Sequence, residues 1–172
     1  MRKIIFGALL LTAFTIQSKA QSVTADAKAE VTSQLTISIN SGSTLNFGKI
    51  AVNATPGTCT LSTVNAKTVS GGVNPIPSTT SNAVFDLTGL AGSTYAITLP
   101  ADILVTRAGG SETMTVDNLK AHPISSVSGV LVGTLSLTTG SDSFSVGGQL
   151  NVNANQTNGV YVGTFIVAAA YN

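Results

Sequence analysis

The residues that could carry catalysis are few and far apart in this chain of 172 residues. The only histidine is His122 and the only cysteine is Cys59. A catalytic nucleophile needs a base beside it and a zinc site needs several nitrogen or sulfur ligands, so these two residues give little support for either site. The acidic side chains show no calcium-loop spacing and no pairing typical of glycosidases: Asp86, Asp102, Glu112, Asp117 and Asp142. We therefore predict that the protein is not an enzyme and binds no cofactor or metal.

These residues have plainer structural interpretations. His122 precedes Pro123 and is expected at a loop or strand end on the surface. Cys59 has no partner for an internal disulfide, so we expect a small buried apolar side chain there. Stability must then come from packing.

The first 20 residues are typical of a secretory signal peptide. Arg2 and Lys3 precede an apolar run over residues 4–16, and Ala20 suits cleavage before the next residue. The run is shorter than the about 20 residues that a membrane span needs. We predict export, with the periplasm as transit compartment and the cell surface or medium as destination, and no membrane span.

The net charge and its distribution argue against nucleic acid as a partner. After removal of residues 1–20 the chain keeps five basic and seven acidic side chains, for a net charge of −2, without a basic cluster. Nucleic acid binding needs a concentrated positive surface. We predict partners held by backbone pairing and apolar contact, and no nucleic acid.

Short alternating apolar runs between turn residues predict an all-β domain over residues 34–172. Turn signals recur at the spacing of a β-sandwich or barrel. In residues 44–52 the apolar positions change parity at Gly48, which predicts a bulge or bend there. Residues 70–82 contain two prolines and a glycine pair, which predict a loop or a crossing at the sheet edge. The predicted strands are residues 34–40, 44–52, 57–63, 82–90, 93–100, 112–119, 129–137 and 143–154, and the terminal strand 159–172.

The terminal strand, GVYVGTFIVAAAYN, is apolar on both faces. One face carries Gly159, Tyr161, Gly163, Phe165, Val167, Ala169 and Tyr171. The other carries Val160, Val162, Thr164, Ile166, Ala168 and Ala170. A two-layer sandwich covers one face of a strand, so we predict that a further segment completes this edge.

Residues 21–33 contain a candidate for that segment. Alternation there is strict over ten residues, and the apolar face carries Val23, Ala25, Ala27, Ala29 and Val31. Two interpretations are open. The segment is either an ordinary first strand packed in its own domain or a strand donated to the incomplete edge of a neighbouring molecule, as in β-augmentation.

The two ends together resemble chaperone–usher pilus subunits. That family has an immunoglobulin-like domain that lacks its final strand and an alternating N-terminal extension that fills the gap in the next subunit. Its C-terminal signature is a penultimate tyrosine and a glycine fourteen residues from the end, which Tyr171 and Gly159 match. Unlike typical pilins, this chain has only Cys59 and so lacks the disulfide between early strands.

Most of the chain after residue 20 also resembles a family of secreted bacterial domains of unknown function, itself similar to pilins and to spore-coat U proteins. The resemblance lies in LNFG (45–48), AVFDLTGLAGSTYAITLP (83–100) and the segment 146–172.

The resemblance implies an immunoglobulin-like, pilin-like β-sandwich without its final strand. It implies a structural subunit of a bacterial surface fibre or coat, assembled by donor-strand complementation. The expected organisation is a signal peptide (1–20), a donor-type strand (21–33) and the sandwich domain (34–172). Expected partners are a second copy or a homologous subunit, and a periplasmic chaperone in transit. The alternative is a self-complemented monomer, a secreted or surface binding module in which residues 23–31 pair with its own terminal strand.

Overall fold

The computed structural model describes residues 19–172. The chain divides into two units, Met1–Val31 and Thr32–Asn172. In the first unit, residues 19–31 have no regular secondary structure and are exposed. The predicted signal peptide lies outside the described residues except for its last two. Within the described part of the chain, no helix is long and apolar enough to cross a membrane.

The second unit is built from antiparallel β-strands, which confirms the prediction of an all-β sandwich. The strands are β1 (Thr36–Ile39), β2 (Ile50–Leu61), β3 (Lys67–Pro75), β4 (Ala83–Thr88), β5 (Thr94–Thr98), β6 (Ile103–Arg107), β7 (Thr113–Pro123), β8 (Val132–Thr134), β9 (Ser141–Val152), β10 (Tyr161–Val162) and β11 (Ala168–Tyr171).

Strand β9 shows how the sequence dictates this fold. Successive side chains of a strand point to opposite faces, and the inward positions of β9 are apolar. Phe144 and Val146 are fully buried, and Leu150 and Val152 are nearly so. The alternating pattern therefore places one face of β9 in the core and gives the other face to polar residues.

The large sheet is organised around β9. Its strand order is β1-β4-β9-β7-β6-β10. Strand β4 pairs with residues 141–146 of β9 and β2 pairs with residues 148–152, so the two share one edge of β9. Strand β3 continues the sheet beyond β2. The long β9 thus connects two regions of the sheet.

A small sheet of order β11-β5-β8 forms the second layer over the first region. Between the layers lies a core in which the ring of Phe144 stacks on Phe85 with 5.2 Å between ring centroids. The buried members of this core are Ala83, Leu87, Tyr95, Ile97, Ala121, Leu135, Phe144 and Val146.

A second core lies under the other region of the large sheet. Its buried members are Cys59, Val73, Ile103, Met114, Val116, Leu150 and Val152. The side chains packed over it come from short or irregular segments, among them Leu45, Phe47, Tyr161 and Phe165. The second layer is therefore thin over this core, and the candidate site lies there.

Polar contacts tie the connection between β7 and β8 to the first core. The hydroxyl of Tyr95 donates a hydrogen bond of 2.7 Å to Oδ2 of Asp142, and Ser125 donates to the same oxygen. Burial, together with the Asp142 carboxylate, raises the pKa of Tyr95. The backbone N–H of Thr134 in turn donates to Oγ of Ser125 at 2.9 Å. The Asp142 carboxylate thus fixes this connection to β9.

Two strands were not predicted, β3 and β6. Residues 70–82 were predicted as a loop or a crossing at the sheet edge; residues 70–75 are not a loop but belong to β3, at the edge of the sheet. Strand β3 pairs only with β2 among the described residues, and Pro75 stands at its end, where a missing N–H is tolerated. The separately predicted strands 44–52 and 57–63 are partly joined in β2, whose pairing with β3 shifts register between Val52 and Gly57.

Other predicted strands are shorter in the structure. The bend expected near Gly48 is present, because that residue has a φ of +69° and the strand begins only at Ile50. The predicted strand 129–137 shrinks to β8, beginning after Gly129 with its φ of +86°. Positive φ is the conformation in which glycine interrupts an extended chain.

Candidate functional site

The residues considered for catalysis are not brought together. His122 lies on β7 opposite Ser145 and is half buried. Cys59 is fully buried, and burial raises the pKa of its thiol. In residues 19–172, no group of three or more histidine, cysteine, aspartate or glutamate side chains could hold a metal ion.

A cleft of about 870 Å³ lies over the second core. Its floor is the inner face of β6, β7 and β9, and its walls are the segments 43–52 and 156–165. The floor carries Ile103, Val105, Met114, Val116, Leu150 and Val152. The cleft lies where the second layer is thin.

The rim of the cleft is apolar and exposed. Val160 and Val162 are 68% and 59% exposed, and Ile39 on the opposite side is 57% exposed. Exposed apolar side chains that cluster around a groove mark an interaction surface more often than an ordinary surface. The cleft therefore has the character of a docking groove.

The C-terminal segment, residues 159–171, forms one wall and its alternation decides which side chains enter the core. Phe165 meets Phe85 edge to face at 6.2 Å between ring centroids. Tyr161, Val167 and Ala169 also pack against the two cores. The opposite face holds the exposed Val160, Val162 and Ile166.

The continuous terminal strand predicted over residues 159–172 is interrupted in the structure. Strand β10 pairs with β6, strand β11 pairs with β5, and residues 163–167 between them are not in a strand. At Gly163 a side chain would overlap the carbonyl oxygen of Leu104 and lie 3.0 Å from Cγ1 of Val105. Glycine therefore lets the segment pass close to β6 without a ladder of hydrogen bonds.

Gly159 lies at the start of the C-terminal segment with a φ of +154°. A Cβ atom there would lie 2.8 Å from Cγ and Cδ of Arg107. The guanidinium of Arg107 donates to Glu112 across the hairpin of β6 and β7, with the Nε to Oε2 distance at 2.7 Å. That hydrogen bond lowers the pKa of Glu112 to about 2 and raises the pKa of Arg107. Gly159 thus packs on the stem of an ion-paired arginine.

We predict that Gly159→Val lowers the free energy of unfolding by about 1–3 kcal/mol, because valine is strained at this φ. It should also displace Arg107 and return the Glu112 pKa from about 2 towards its ordinary value. Urea denaturation and an NMR titration of the Glu112 carboxyl carbon measure the two effects. Gly42→Val is the control, since Gly42 has a φ of +77° with no atom near its Cβ position and lies outside the hairpin of β6 and β7. An unchanged Glu112 pKa in Gly159→Val would contradict the packing role.

Tyr171 anchors the other end of the C-terminal segment. Its hydroxyl donates to the carbonyl oxygen of Ser33 at 2.8 Å and accepts from the N–H of Leu90 at 2.7 Å. A side chain at Gly89 would overlap this hydroxyl. The chain just before β1 and the end of β11 are therefore joined.

We predict that Tyr171→Phe lowers the free energy of unfolding by about 0.5–1.5 kcal/mol, because it removes two hydrogen bonds whose backbone partners stay accessible to water. The backbone N–H of Leu90 should also exchange faster with deuterium. Tyr161→Phe is a matched control, since the Tyr161 hydroxyl bonds to Gln156 and Thr157, which are near it in sequence and far from Leu90. Unchanged exchange at Leu90 in Tyr171→Phe would show that the anchor is unimportant.

The residues predicted for the donor strand lie in the first unit. Val23 and Val31 are 94% and 96% exposed, and Ala25, Ala27 and Ala29 are exposed as well. No strand is formed over residues 19–31. The alternating segment therefore has no β-sheet partner among the described residues.

The floor of the cleft was not predicted as part of a site. In the sequence, its residues look like ordinary inward-facing positions of long strands: Met114, Val116, Leu150 and Val152. A sequence signal for the opposite wall was present at Gly48, where the change of parity within residues 44–52 predicted a bulge or bend. Nothing in the sequence around Ser33 and Leu90 indicated that their backbone groups bind the Tyr171 hydroxyl.

No curated protein and no solved structure matches this chain. A family pattern, however, matches residues 35–171, which includes both walls of the cleft, its floor and the Tyr171 anchor. The chain therefore belongs to the family described as Domain of unknown function (DUF4402).

Proposed function

We propose that this protein is a non-enzymatic, exported structural subunit of a bacterial surface fibre or coat, assembled by donor-strand complementation. The observation that supports this most is the apolar cleft of about 870 Å³ beside the C-terminal segment. In this proposal the domain is an immunoglobulin-like sandwich without its final strand, and the cleft is the place of that strand.

Backbone groups at the cleft are available for an added strand. Among the described residues, β1 pairs only with β4 and β10 only with β6. Each of these strands therefore ends its sheet. An edge strand presents N–H and C=O groups that an incoming extended segment can pair with.

The apolar rim supplies a driving force. Ile39, Ile76, Val160 and Val162 are all between 41% and 68% exposed. Burying four such side chains would contribute roughly 5–10 kcal/mol before the cost of association is subtracted. An occupant that covers the rim and pairs with an edge strand would therefore be held strongly.

We propose that the occupant is residues 23–31 of a second copy or of a homologous subunit. The apolar face of that segment carries only alanine and valine, which are small enough for a narrow cleft with a buried floor. The opposite face carries Asp26, Lys28 and Glu30, which would stay in water. A periplasmic chaperone would protect the cleft before assembly, and the cell surface or medium is the destination.

Size-exclusion chromatography with light scattering, and electron microscopy, test the proposal on residues 21–172. We expect ladders or fibres that grow with concentration, and only monomers after deletion of residues 21–31. A synthetic peptide of residues 22–32 should then bind the deleted protein. A compact monomer at every concentration would contradict the proposal and favour the self-complemented module.

A further inference from the structure

A second cavity, of about 400 Å³, lies on the outer face of the large sheet, where β2, β7 and β9 run side by side. Its polar lining includes Thr60, Ser62, Asn118, Lys120, Ser128 and Gln149. This volume lies within the range of about 300–1,000 Å³ of small-molecule pockets. The cavity and the cleft use opposite faces of the same sheet.

A β-bulge shapes one wall. The pairing of β7 with β9 shifts register between Asp117 and Lys120, and Asn118 in the bulge has a φ of +49°. The extra residue places Asn118 and Lys120 together at the cavity. Bulges commonly redirect side chains in this way beside binding sites.

The facing wall is held by a hydrogen bond between two hydroxyls. Thr63, two residues after the end of β2, is buried, with 7% of its surface exposed. Its Oγ1 lies 2.6 Å from Oγ of Ser128, in the connection between β7 and β8. Both residues line the cavity, so this wall has a fixed position.

The lining keeps hydrogen-bonding capacity for a ligand. The amide nitrogen of Asn118 donates once, to Oδ1 of Asp117 at 3.1 Å, and that of Gln149 donates once, to Asn151 at 3.2 Å. A side-chain amide has two donors and an acceptor oxygen. The ammonium of Lys120 forms no ion pair with any residue in the described range 19–172.

The chemistry of the lining selects a class of ligand. Hydroxyls and amides match the neighbouring hydroxyls of a saccharide, and Lys120 matches one negative charge. The nearby Asp117 carboxylate would oppose a doubly charged group such as phosphate. We propose that this cavity binds an acidic saccharide, with Lys120 on the carboxylate and Asn118, Gln149 and Ser128 on the hydroxyls. Binding here would leave the cleft free, so the proposal does not depend on fibre assembly.

Isothermal titration calorimetry of residues 21–172 with digalacturonate tests the proposal, and digalactose serves as the neutral counterpart. We expect digalacturonate to bind, and Lys120→Gln to weaken its binding by about tenfold or more, because a charge-assisted hydrogen bond is lost. Lys28→Gln, which removes the same charge outside the domain, should change nothing. Gln149→Ala should weaken the binding of both sugars.

Three results would overturn the proposal: no binding of digalacturonate, equal binding by wild type and Lys120→Gln, or an equal loss in Lys28→Gln. A higher affinity for inorganic phosphate than for digalacturonate would also overturn it. Circular dichroism of each variant distinguishes a lost contact from a lost fold.

Discussion

Replacing Ala27 with aspartate is expected to abolish polymerisation while leaving the domain folded. In the proposed assembly Ala27 is the middle apolar residue of the donated segment. Aspartate would bury an unpaired carboxylate in the neighbour's cleft, at a cost of several kcal/mol. The melting temperature should stay close to that of the wild type, because the strands all lie in residues 36–171.

Thr24→Asp is the matched control, since it adds the same charge on the opposite face of the segment and should polymerise normally. SDS gels that retain SDS-resistant polymer, together with electron microscopy, detect polymerisation. Calorimetry measures the melting temperature of the domain. If the wild type is always monomeric and Ala27→Asp lowers its melting temperature, the segment pairs within its own chain. Normal fibres from Ala27→Asp would remove residues 23–31 from the assembly.

Phe144→Ala is expected to have the largest effect on the stability of the domain. The side chain is fully buried between the sheets and stacks on Phe85, which also meets Phe165 of the C-terminal segment. Truncation of such a ring costs about 3–5 kcal/mol through lost burial and the cavity left behind. Urea denaturation measures the loss.

Phe144→Leu keeps much of the volume and should cost less than half as much. The NMR signals of the Phe165 ring should shift in Phe144→Ala, because Phe85, which Phe165 meets edge to face, loses the ring that positions it. A loss below about 1 kcal/mol would mean that the sheets close over the vacated space, since the cost depends on how well the site can collapse.

The alternation in β4, β7 and β9 was sufficient to predict an all-β sandwich, because both layers bury one face of each strand. Strand β3 escaped prediction because Gly71 and Gly72 hide its alternation. Their lack of side chains lets β3 pass close to the backbone of residues 55–57, a tertiary contact that the local pattern does not contain. Strand β6 is only five residues long and follows a proline.

The candidate site was predictable only in part. The apolar face of residues 159–171 predicted an edge that needs cover, and Gly159 and Tyr171 were singled out by position. The structural roles of these two residues depend on tertiary contacts. The side chain of Arg107 packs against Gly159, and the carbonyl oxygen of Ser33 accepts a hydrogen bond from the Tyr171 hydroxyl. The floor was hidden because buried strand positions look the same whether or not a second layer covers them.

The hydrogen bond from Tyr171 to Ser33 joins residues 138 positions apart, and this separation has a consequence for biogenesis. Strand β11 cannot pair with β5, and the Tyr171 hydroxyl cannot reach Ser33, until residues 168–171 have been synthesised. Long-range antiparallel pairing is also slow, because loop closure precedes the contacts that reward it. Alternating apolar strands stay accessible throughout that delay, when proteases and aggregation compete with folding. The pairing of β11 therefore comes late in folding, and the free edge of β5 stays exposed until then.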